Sequence, residues 1–282
     1  PTLDDLLAAA ELLEANRPLP PELERALLRG TSIGGARPKA LIDDDCKHFI
    51  AKFVSSTDVY PVVKAEYIAM RLAALAGLNV APVSLVSSLG KDVLMIERFD
   101  RVDTATGKTR RLMLSGLSLL DLNEMEARYA SYSDLADRIR QRFTEPQATL
   151  MELFKRLVFN VLVGNTDDHA RNHSAFWDGH QLSLTPAYDI CPQLRTGQEA
   201  TQAMDIGGVA CKAATLVNVL SVCGKFQLRE SDARTMIEQL ITVVEDNWVA
   251  VCEEAGLAAV ERERLWGRAL LNPYCLQDWK PA

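Results

Sequence analysis

The sequence predicts an α+β protein of two lobes, a small mixed lobe followed by a larger, mainly helical one. Three observations carry this. Short apolar runs split by turn residues fill the chain up to about residue 100, with one strong helical pattern among them. Beyond about residue 112 the apolar period becomes helical, interrupted by two short strand-like runs. Between an apolar helix and those runs stands the polar stretch Asn165-Thr166-Asp167-Asp168-His169-Ala170-Arg171-Asn172, where a cleft between lobes is expected.

Residues 3 to 15 read as a helix, with Leu3, Leu6, Leu7 and Leu12 apolar and acids at its start. Pro18, Pro20 and Pro21 stop it, and Pro21 opens a second helix through Leu28. The glycine-rich run 30–39 follows. Residues 40–42 and 48–54 read as strands, with Asp43-Asp44-Asp45 as a hairpin turn. Residues 61 to 76 form a helix with Val62, Ala65, Ala69, Leu72 and Ala76 on one face and Gly77 as its cap. Val80 to Val86 and Asp92 to Phe99 are two more strands, and Arg101 to Arg111 reads as a polar surface loop. Tyr132 to Arg142 and Gln147 to Val163 are helices, the second with a broad apolar face. Short strands are expected around 174–176 and 182–184, then helices over 215–222, 230–244 and 261–271. The expected division is an N-terminal helical segment (1–29), an N-lobe (30–100) and a helical C-lobe (101–282).

A hydrophobic fraction of 48% and a charged fraction of 24% over 282 residues suit a globular protein with a sizeable core. The net charge of -7 argues against broad nucleic-acid binding. No cysteine pair has zinc or iron–sulfur spacing, and no apolar run approaches a membrane span. The cytoplasm is the expected compartment. The chain opens at Pro1 without an initiator Met, so a processed or trimmed product is expected.

Two acids, a carboxamide and a base within so short a run suit a site that holds a metal–phosphate complex beside a hydroxyl. Asp167 and Asn172, five residues apart, have the base-and-metal-ligand spacing of a phosphoryl-transfer catalytic loop, and Asp189 lies where a second metal carboxylate belongs. The alternative is a polar turn bonding its own backbone. Asp168 is read as a helper or a solvated acid, His169 and Asn165 as braces of the loop, and Arg171 as a phosphate contact or a surface cation. Lys52, a lysine between apolar neighbours, is read as a phosphate contact positioned by Glu66 on the next helix, or as an edge-strand lysine with its head in solvent. The run Ser32-Ile33-Gly34-Gly35-Ala36 matches neither common phosphate-loop form, yet its backbone amides can cradle phosphate, with Arg37 and Lys39 nearby. Glu97 and Phe99, in Glu97-Arg98-Phe99-Asp100, stand where an adenine-reading hinge belongs, or simply end an amphipathic strand.

Taken in order, the run 32–39, Ile50-Ala51-Lys52-Phe53, Glu66, Glu97 to Asp100, Asn165 to Asn172 and Tyr188-Asp189 resemble the HipA-like serine/threonine kinases, toxins of bacterial toxin–antitoxin modules. The resemblance runs from about residue 28 to 250, with Arg171 where lysine is common. It implies a two-lobed protein-kinase-like fold with ATP and Mg2+ as cofactors. Asp167 is then the catalytic acid/base, Asn172 and Asp189 the metal ligands, Lys52 the ATP-phosphate contact and Ser32 the regulatory autophosphorylation site. It also implies a glutamyl or tryptophanyl aminoacyl-tRNA synthetase as substrate and a helix-turn-helix antitoxin as partner, with DNA met only through that antitoxin. Longer members carry an extra small domain before the phosphate loop, so this chain is expected to be a shorter variant or a fragment. A small-molecule kinase and an inactive kinase-like binding module are the competing readings.

Overall fold

The structure, a computed structural model, describes the chain apart from residues 1, 32–36, 45–46, 105–106, 198, 209–210 and 282. Helix α1 (Leu3–Glu14) starts in a capping box between Thr2 and Asp5, and α2 (Pro21–Thr31) follows the proline-rich break. Strands β1 (Lys39–Asp44), β2 (Lys47–Phe53), β3 (Val83–Ser88) and β4 (Lys91–Glu97) make an antiparallel sheet of order β1-β2-β4-β3. Helix α3 (Val62–Leu75) joins β2 to β3. Asp43 and Asp44, expected in a turn, belong to β1.

Side-chain alternation decides what each sheet face does. Ala51, Phe53, Val93 and Met95 point to one face, where Leu6, Leu7, Ala9 and Ala10 of α1 and Leu27 of α2 cover them. Ile50, Leu94 and Ile96 point to the other, joining the main core with α3. Lys52 shares the parity of Ile50 and so faces α3. The expected single apolar stripe of α3 is too narrow: the helix is buried over most of its circumference, from Val63 to Ala73. The reason is a second neighbour. Helix α8 (Glu230–Glu254) packs on the far side, and its Glu254 accepts hydrogen bonds from Tyr67 and from Arg71 (2.9 Å).

The segment 101–111, expected as a loop, is a hairpin of β5 (Arg101–Thr104) and β6 (Gly107–Arg110). Its polar composition hides the strand period. Strand β7 (Leu112–Ser115) was also not expected; it completes a small sheet with β8 (Ser174–Trp177) and β9 (Leu182–Leu184). Helix α4 (Gly116–Leu119) follows, and α5 (Tyr132–Arg142) matches its expected span. Helix α6 (Pro146–Leu162) opens on a proline and buries Leu150, Phe154, Leu157, Val158, Val161 and Leu162. Helix α7 (Leu216–Ser221) precedes α8, which runs ten residues past its expected end at Val244 to Glu254. Helix α9 (Ala259–Leu265) is shorter than expected, ending before the turn at Gly267.

Candidate active site

The polar run leaves α6 through Gly164, whose φ of 69° is a left-handed value that favours glycine. A Cβ there would run into the Ala269 carbonyl. Asn165 is then buried, its side-chain amide donating to Asn160 Oδ1 (3.0 Å) and its backbone N–H to Asn160 O (2.9 Å). The bracing expected of Asn165 is therefore present. Asp167 is exposed and Asp168 buried, as adjacent residues of an irregular loop can be. Asp168 accepts from the Tyr132 hydroxyl and pairs with His173 Nε2 at 2.9 Å. It is an anchor of the loop rather than a solvated acid. His173, not singled out in the sequence, takes the bracing role expected of His169.

A cleft of about 350 Å³ opens beside this loop, and Arg37, Lys39, Lys52, Asp58, Tyr60, Glu66, Asn165, Asp167, His169, Asn172, Asp189, Cys191 and Gln193 are among the residues around it. Lys52 Nζ donates to Glu66 Oε1 at 2.6 Å and also to Asp189 Oδ1. Burial alone would lower the Lys52 ammonium, but the two carboxylates outweigh it and raise it above the usual lysine range. Burial pushes Glu66 up against the pull of Lys52. For Asp189 the balance reverses: burial opposes its charge, yet Lys52 holds its carboxyl below the usual range. Asp189 sits at φ 60°, a conformation Asp enters more readily than most residues. Lys39 lies across the ladder from Lys52, and burial together with that neighbouring ammonium lowers it. Asn172 ends a short 3-10 turn (Ala170–Asn172), its backbone N–H on His169 O (2.8 Å) and its amide on Asp167 O (3.5 Å).

Other expected residues are not brought to the cleft. Arg171 is exposed and pairs with Glu124 (2.6 Å), which favours the surface-cation alternative. Glu97 pairs with Lys47 at 2.7 Å, and Phe99 packs its ring on Phe176 and Tyr188. Neither lines the cleft. Ser32, Ile33, Gly34, Gly35 and Ala36 lie outside the described residues. Asp58, Tyr60, Cys191 and Gln193 line the cleft and were not expected, whereas Arg37 was. Arg37 forms a two-pronged pair with Asp58 (2.7 and 2.6 Å), and Tyr60 donates to Pro192 O (2.7 Å). Asp189, Cys191 and Gln193 line the wall at every second position, an alternation legible in an extended segment. Burial pushes the Cys191 thiol up, so it stays protonated.

Among the described residues no three His, Cys, Asp or Glu side chains gather as a metal cluster. The oxygens of Asn172 and Asp189 still fit Mg2+, which takes few protein ligands and fills its shell with water and phosphate oxygens. His169 Nδ1 is buried with no hydrogen-bond partner among the described residues, a polar atom that a bound group could satisfy. The cleft volume lies in the range of ligand pockets.

A small antiparallel sheet whose Lys52 pairs with Glu66 on helix α3, set over a helical lobe, is a two-lobed kinase-like fold. Solved structures agree. A chain of the complex of HipA, HipB and operator DNA from Shewanella oneidensis has TM-score 0.72 at 21% identity, covering 95% of this chain and 70% of that one. The Helicobacter pylori proinflammatory kinase CtkA has TM-score 0.61 at 15% identity, covering 88% of this chain and 94% of that one. The family model of the HipA-like C-terminal domain matches residues 31–248, and the chain belongs to that family. The inferred kinase Y4mE of Sinorhizobium fredii is 32% identical over 146 residues, covering 50% of this chain and 33% of that protein. The serine/threonine-protein kinase toxin HipA of Shewanella oneidensis is 27% identical over 183 residues, covering 56% of this chain and 42% of that protein. The chain thus spans under half the length of these two relatives. No described helix is long and apolar enough to cross a membrane.

Proposed function

We propose that this protein is an ATP- and Mg2+-dependent serine/threonine protein kinase. The observation that carries the reading is the position of Lys52 between Glu66 and Asp189, in one cleft with Asp167 and Asn172. ATP with Mg2+ supplies the phosphoryl group and the charge that draws it to the site. Asn172 and Asp189 would hold the metal. Lys52, kept charged by Glu66, neutralises phosphate oxygens, with Lys39 beside it. Asp167, exposed at the loop crest, orients the acceptor hydroxyl and takes its proton. Lys52 is already bound by Asp189, so phosphate oxygens would compete for that contact.

The finer reading is a toxin of a toxin–antitoxin module, acting in the cytoplasm. Its substrate would be a glutamyl or tryptophanyl aminoacyl-tRNA synthetase, with self-phosphorylation at Ser32. Its partner would be a helix-turn-helix antitoxin through which alone it meets DNA. Family membership and the likeness to a HipA–HipB–operator complex support this. The division into a helical segment (1–29), an N-lobe (30–100) and a C-lobe (101–282) belongs to the same proposal.

Labelled ATP, Mg2+ and a bacterial lysate test it, with labelled proteins identified by mass spectrometry. The intact protein is expected to label a synthetase, and Asp167→Asn to lose at least about 100-fold of the transfer rate while still binding nucleotide. Undiminished transfer by Asp167→Asn would remove the role given to Asp167. Label confined to a small metabolite would replace the protein-kinase reading.

A further inference from the structure

Asn172 and Asp189 stand on different segments, one ending the 3-10 turn (Ala170–Asn172) and the other beyond the β8–β9 hairpin. Local chain geometry therefore does not set their spacing. One hydroxyl joins the residues that precede them. Tyr188 Oη donates to the Arg171 carbonyl at 2.8 Å, across 17 positions of sequence. The same oxygen lies 2.6 Å from Ser174 Oγ. A carbonyl only accepts, so the Tyr188 proton is committed to Arg171 O, and the buried Ser174 hydroxyl donates to Tyr188.

The surroundings hold both ends of this contact. Phe99 packs on the Tyr188 ring with centroids 5.8 Å apart. The residue before it, Ala187, is tied by its backbone, donating to Asn79 O (2.8 Å) and accepting from Ala81 N–H (2.9 Å). On the other side, a single 3-10 turn cannot satisfy all of its own carbonyls. The Arg171 side chain turns to Glu124, so only its main-chain oxygen meets Tyr188. Tyr188 does not line the cleft, unlike Asn172 and Asp189.

We propose that Tyr188 is a positioning residue for the metal–nucleotide complex, its hydroxyl fixing the spacing between Asn172 and Asp189 through the main chain of each. This rests on the reading that those two residues take Mg2+. The ion demands near-ideal octahedral geometry at short range, so a site with two protein ligands on separate segments depends on their spacing. Removing the hydroxyl loosens that spacing and leaves Lys52 and the rest of the cleft wall in place.

Binding of a fluorescent non-hydrolysable ATP analogue to the full chain, once with Mg2+ and once with EDTA, tests this without catalysis. Mg2+ is expected to tighten binding to the unaltered protein. Tyr188→Phe keeps the ring and removes only the hydroxyl. Its affinity in EDTA should match that of the unaltered protein, while the gain from Mg2+ shrinks about fivefold, the size of one lost hydrogen bond. A role confined to fold stability would lower the melting temperature and leave the gain unchanged. Ser174→Ala frees the Tyr188 hydroxyl to turn and should shrink the gain less, by about twofold, which decides the matter should Tyr188→Phe not fold. A gain preserved in the folded variant, or affinity lost equally with and without Mg2+, would overturn the proposal. Failure of the metal reading shows separately, as no gain from Mg2+ in the unaltered protein, and removes the role of Tyr188 with it.

Discussion

At Lys52 two opposing effects meet, and their sizes predict what a substitution does. The ammonium is buried, which disfavours its charge, yet Glu66 and Asp189 both touch it. Lys52→Met leaves Glu66 buried without its partner, and breaking such a pair costs about 3–5 kcal/mol. Burial already pushes Glu66 up, and removing Lys52 pushes it further. An acid whose folded pKa is raised binds protons more readily when folded, so falling pH stabilises the folded variant. The destabilisation of Lys52→Met should therefore be largest at high pH and shrink as pH falls through the raised range in which the buried Glu66 takes up a proton. Urea denaturation of both proteins across that range checks this. A penalty independent of pH would assign the loss to packing. Nucleotide affinity should fall at every pH. At this scale much was legible: a lone lysine in an apolar strand, with a glutamate on the next helix, announces a pair. Asp168 was not legible, because only the fold decides which of two adjacent acids turns inward to Tyr132 and His173.

Among the elements, the end of α6 sets the loop carrying Asp167, and Gly164 sets the end of α6. Its positive φ and the Ala269 carbonyl beside it leave no place for a side chain. Gly164→Ala is expected to cost about 1–3 kcal/mol and to lower the melting temperature, with phosphotransfer falling as Asp167 shifts. An unaltered melt would show that the 265–271 turn yields easily. Helices with a clear apolar period, such as α5 and α6, were readable to within a residue or so. The β5–β6 hairpin was not, since Arg101 to Arg110 alternates no apolar face. Its side chains instead bond its own backbone, Thr109 Oγ1 to Val102 O (3.1 Å) and Thr104 Oγ1 to Gly107 O (2.6 Å). Strand β7 exists because β8 pairs with it, a long-range cause that no local pattern carries.

For the whole molecule, the link between the lobes runs through a buried cation. Arg156 on α6 is 2% exposed and donates to Asn79 O (3.0 Å), Thr185 O (2.9 Å) and Glu152 (2.8 Å). Asn79 and Thr185 flank the point where the lobes meet, as Val80 bridges Ala187 two residues before Asp189. Arg156→Met strands the Thr185 carbonyl and leaves Asn79 O and Glu152 with only the Ala187 and Asn79 backbone N–H donors, an expected loss of about 2–4 kcal/mol by chemical denaturation. Transfer should drop as well, because Asp189 loses its fixed place opposite Lys52. A variant with full transfer and an unchanged midpoint would show that the Val80–Ala187 bridge suffices.

Local chemistry determined the lobes, most helices and the residues that meet in the cleft, because apolar period and motif spacing are properties of neighbouring residues. Tertiary structure alone decided that α3 is buried on both sides and that Arg171, Glu97 and Phe99 lie off the cleft. Each depends on which distant segment packs there, and no spacing along the chain encodes that.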